Sequence, residues 1–76
     1  MTSEITALEA RNLIERRFAS SRIPLAELLT REYPEETVFV VHVPEQYLVT
    51  AAELGNALDE ELQAKGFQGF VTVRRS

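Results

Sequence analysis

Seven consecutive residues, Thr37-Val38-Phe39-Val40-Val41-His42-Val43, limit what this chain can fold into more than any other segment. Most are β-branched, and such side chains are stiff in a helix but pack well on a pleated surface. Glu35-Glu36 bound the run on one side and Pro44 on the other, so a strand is expected over 37–43. Its apolar residues fall on both faces, the pattern of a strand covered on both sides. His42 interrupts the apolar run.

A strand of this kind needs neighbours, and the downstream sequence offers them. Thr50 and Glu53 have capping-box spacing, and Val49 and Leu54 occupy the matching hydrophobic-staple positions. Leu54, Leu58 and Leu62, flanked by Ala51 and Gly55, then form a helical stripe that Gly66 terminates. Gly55 on the apolar side costs about 1 kcal/mol against alanine, which suits a helix lying close to a sheet. Phe70-Val71-Thr72-Val73-Arg74 reads as a second strand. Strand, helix and strand at these lengths predict a parallel βαβ unit with a right-handed crossover. Gln46-Tyr47-Leu48 is a candidate for a short extra strand.

Upstream, Thr6 and Glu9 repeat the capping-box spacing and predict a helix over 7–19. Ala7, Ala10, Ile14 and Phe18 share one face with Leu13 beside it, and Leu8 points away. Ser20-Ser21 ends this helix. Pro24 suits the first position of a second helix, with Leu25, Leu28 and Leu29 as its buried stripe and Tyr33-Pro34 as its end. The expected fold is therefore α/β: one small domain spanning residues 1–76, in the order α-α-β-α-β.

A chain of 76 residues buries only about 60% of the surface that its unfolded form exposes. Domains this small gain stability from disulfides, metals or oligomerisation. There is no cysteine and His42 is the single histidine, which excludes a disulfide framework and leaves too few ligands for a zinc site within one chain. Oligomerisation is the support left open. The net charge is −4, with residues 34–66 holding seven carboxylates against one lysine, a balance that disfavours nucleic acid and anionic membrane as primary partners. No stretch approaches the ~18–20 apolar residues of a membrane span. The first residues lack the pattern of a secretory signal, so a cytoplasmic location is expected.

Candidate chemistry is sparse. His42 with Glu45 three residues on would make a base, but no serine, cysteine or second histidine is placed to form a nucleophile–base pair. Asp59-Glu60-Glu61 are consecutive on a helix and so do not converge on one face; Glu61 is spaced to pair with Lys65 instead. Gly66-Phe67-Gln68-Gly69 has the spacing of a nucleic-acid-gripping GxxG loop, yet it joins a helix to a strand and holds no basic residue. No catalytic, cofactor-binding or metal-ligating residue is assigned.

The expectation is a non-enzymatic protein–protein interaction domain, adaptor or regulatory, that associates with itself as a homodimer. Two strands leave two open edges, each a row of unpaired backbone groups. The expected seam is the C-terminal strand, with Phe70, Val71 and Val73 pairing and Arg74 and Arg75 at its exposed end; Leu8 is a further exposed candidate. The alternative is a nucleic-acid-associated regulator using Arg16, Arg17 and Arg22 at the helix junction together with Arg74 and Arg75.

Overall fold

The strand expected from the valine run is present without adjustment, over Thr37–Val43, and the rest of the fold is arranged around it. The computed structural model describes residues 5–76. Four other segments join this strand, here β2: α1 (Ala7–Ser20), β1 (Glu27–Glu32), α2 (Leu48–Ala64) and β3 (Gly69–Arg75). The order is α-β-β-α-β, not α-α-β-α-β. The sheet order is β1-β2-β3, with β1 antiparallel and β3 parallel to β2. The parallel pairing expected of a βαβ unit is present, with α2 between β2 and β3.

The second helix does not exist. Ala26-Glu27-Leu28-Leu29 and Arg31-Glu32 are good helix formers, but helix propensity is a weak prior that tertiary pairing overrides. Only nine residues separate Pro24 from Pro34, too few for a helix to stand without strong packing. As a strand the segment fills the second edge of β2, from Glu27↔His42 to Glu32↔Thr37. The chain reverses over Pro34-Glu35, and the Tyr33 N–H donates to the Glu36 carbonyl at 2.8 Å. Leu28 and Leu29, expected on one helical stripe, therefore point to opposite faces of the sheet.

The entry to α2 also differs. Gln46 and Tyr47 belong to a 3-10 turn (Glu45–Tyr47), and α2 begins directly at Leu48 with no side-chain cap. Thr50 and Glu53 thus lie inside the helix and form no capping box, and Val49, expected to staple the start, is exposed. The earlier box is present: the Thr6 hydroxyl accepts from the Glu9 N–H, and the Glu9 carboxylate accepts from the Thr6 N–H.

Both helices stop in the same way. The Gly66 N–H donates to the Gln63 carbonyl and the Phe67 N–H to the Leu62 carbonyl, the two bonds of a Schellman cap. In α1 the Arg22 N–H reaches Ala19 and the Ile23 N–H reaches Phe18. Gly66 takes φ 82° at its cap and Arg22 takes φ 58° at the other. The residue after each, Ile23 or Phe67, is buried, so the caps turn the chain inward as well as ending the helices.

One hydrophobic core lies between the helices and one face of the sheet. Phe39, Val41 and Val43 of β2 meet Ile14 and Phe18 of α1 and Leu58 and Leu62 of α2, all of them fully buried. Phe39 and Phe67 stack with centroids 5.9 Å apart. Gly55 lets α2 approach β3, since a Cβ there would sit 3.2 Å from a Val73 methyl. Gly69 is tighter, because a Cβ would lie 2.3 Å from the Thr37 carbonyl oxygen and 2.5 Å from the Phe67 ring. Arg17 and Glu61 join α1 to α2 through two parallel N–H···O contacts, 2.6 and 2.7 Å.

Candidate interaction face

Side chains alternate along a strand, so the residues between those of the core form the second face of the sheet. Register places them in three rows: Arg31, Val38 and Phe70; Leu29, Val40 and Thr72; Glu27, His42 and Arg74. Neither helix covers this face. Leu29, Val38, Val40 and Phe70 make a contiguous apolar area in its upper and middle rows, extended past Arg31 by Tyr33 at the hairpin turn. Phe70 is 36% exposed and Tyr33 52%, whereas Val40 is only 9% exposed because its neighbours on all sides shelter it. Arg31 and Arg74 against Glu27 give the face a formal charge of +1 from these three residues, on a chain of net −4.

The expected interface residues do not stay together. Phe70 and Arg74 lie on this uncovered face. Val71 is buried on the helical side, and Val73 packs against the same core. Arg75 pairs with Glu45 at 3.0 Å, which removes Glu45 from any partnership with His42. Leu8 is 67% exposed on α1, apart from the sheet. Leu29, Arg31, Val38 and Val40 were not anticipated as contact residues. The two-sided apolar pattern of β2 leads to an expectation of cover on both sides, but both helices lie on one side and leave Val38 and Val40 on the other; Leu29 and Arg31 reach this face only because β1 is a strand.

The outer edge of β3 is guarded. The Asp59 carboxylate on α2 accepts the Val71 N–H at 2.7 Å, so one donor of the expected seam is already taken. Partial burial raises the Asp59 pKa above the usual carboxylate value, opposed by the Val71 N–H, which lowers it. The acidic run 59–61 is thus not one solvated strip. Asp59 holds the sheet edge and Glu61 pairs with Arg17 in place of Lys65. Among the arginines of the nucleic-acid alternative, Arg17 and Arg75 are held in ion pairs by Glu61 and Glu45. Arg22 serves as the left-handed cap residue of α1.

Among the described residues no group of three or more His, Asp or Glu side chains is placed to hold a metal ion, and no helix is long and apolar enough to cross a membrane. No protein-family model, curated protein or solved structure matches the chain.

Proposed function

We propose that this chain is a non-enzymatic protein-interaction domain, adaptor or regulatory in kind, that works through the uncovered face of its sheet. One observation carries the reading: β2 is apolar on both sides, while both helices lie on the same side. Contiguous apolar surface rimmed by polar groups marks a contact site, and a face that holds Phe70 and Tyr33 together with Arg31 and Arg74 has residue types enriched where proteins meet. Self-association belongs to the same reading.

Capture from a native lysate tests it when done with paired variants. Phe70→Glu should abolish capture of partners while leaving the fold intact, because the side chain is outside the core. Leu8→Glu, at a more exposed apolar position on α1, should capture as well as wild type. Equal capture by all three proteins would remove the uncovered face from the function. The nucleic-acid reading draws on Arg16, which among the described residues has neither an ion pair nor a capping role, together with Arg74. It predicts a salt-sensitive electrophoretic shift that Arg16→Ala weakens.

A further inference from the structure

We infer that the uncovered face packs against the same face of a second copy, with the strands of the two sheets aligned and Glu27 set opposite an arginine of the partner. This rests on the proposed use of the face and names its occupant. The argument is charge complementarity read from the register. The corners of the face are Arg31 and Phe70 at one end and Glu27 and Arg74 at the other.

Two sheets pack face to face either aligned, within about 30°, or nearly orthogonal. A two-fold axis along the strands exchanges β1 with β3. Glu27 then faces Arg74 of the second copy, and Arg31 faces Phe70. A two-fold axis across the strands exchanges the two ends instead, so that Glu27 faces Arg31 and Phe70 faces Arg74. Either aligned arrangement gives two carboxylate–arginine pairs, two arginine–aromatic contacts of the cation–π kind, and Val40 on Val40 at the centre. Both diagonal axes, which produce orthogonal packing, fail. One sets Arg31 against Arg74 and Glu27 against Glu27; the other sets each arginine on its own copy. Like charges juxtaposed in an interface are strongly unfavourable. A two-fold interface must be self-complementary, and this layout is so in the aligned packing.

Size limits the strength. Three strands about 4.8 Å apart and seven residues at about 3.3 Å each make a face of roughly 14 by 23 Å. That belongs to the small, reversible class of interfaces. The edge of β3 is the rival seam, and Asp59 already occupies one of its donors.

Sedimentation equilibrium of the full chain, from micromolar to millimolar concentration, provides the test. Wild type should dimerise reversibly. Glu27→Arg should raise the dissociation constant by at least about tenfold, since it creates two like-charge contacts per dimer. Restoration by Glu27→Arg/Arg74→Glu supports the inference through the axis along the strands, and restoration by Glu27→Arg/Arg31→Glu supports it through the axis across them. Either overturns the other axis. A dimer indifferent to both Glu27→Arg and Phe70→Glu overturns the inference. So does a monomer at every concentration, including one that retards a single-stranded oligonucleotide. In the monomer case, Phe70-dependent capture from lysate would still uphold the broader reading.

Discussion

Single side chains set three tight points in this fold. Gly69 enters β3 against the Thr37 carbonyl and the Phe67 ring. Backbone cannot yield there, so Gly69→Ala should destabilise by about 1–3 kcal/mol, read from urea unfolding. Arg22 holds a left-handed conformation that costs an L-residue about 1–2 kcal/mol. Arg22→Gly should therefore raise the unfolding midpoint, by somewhat less than that cost because glycine gains freedom in the unfolded chain. Asp59 gives a pH signature. Its folded-state pKa lies above the unfolded value because burial disfavours the charge, so its contribution to stability is greatest in acid and is lost as pH rises through the folded pKa. Asparagine keeps an oxygen for the Val71 N–H without the charge. Asp59→Asn should thus match or exceed wild type in urea unfolding at pH 7 and lose that advantage near pH 3. A deficit at pH 7 that closes on acidification would reverse this account.

Elements were legible where local signals agreed with each other. β2 and α1 follow from β-branched density and from a capping box with its apolar stripe, and the end of α2 follows from Gly66. β1 was not legible, because its residues favour helix locally and its strand state comes from pairing with β2. The start of α2 was misplaced because the 3-10 turn at Glu45–Tyr47 runs straight into it, leaving the Thr50/Glu53 spacing without a terminus to cap. The strand assignment of β1 makes adjacent leucines behave differently. Leu28 packs against the core, and Leu28→Ala should cost about 1–2 kcal/mol, less than a fully buried leucine. Leu29→Ala should cost less in stability and more in self-association. Equal losses of stability at both positions in thermal unfolding would argue for the helix.

At the scale of the whole molecule, the small core and the bare sheet face are two sides of one fact. Two helices suffice to cover one side of three strands, and β2 is apolar on both. The candidate site was half legible: Phe70 and Arg74, expected at an edge, lie instead on a face; Leu29 and Arg31 depend on β1 being a strand, and Val38 and Val40 on both helices covering the other side of β2. The central claim is that this face, and not the β3 edge or the helical surface, is where the chain makes contact. A methyl-resolved NMR dilution series measures it most directly, because alternate valines of β2 look in opposite directions. As concentration rises, the methyl signals of Leu29, Val38 and Val40 should move together while those of Val41 and Val43, in the core, stay still. Invariant Val38 and Val40 signals up to millimolar concentration, or shifts centred on the backbone of Val71 and Val73, would contradict it.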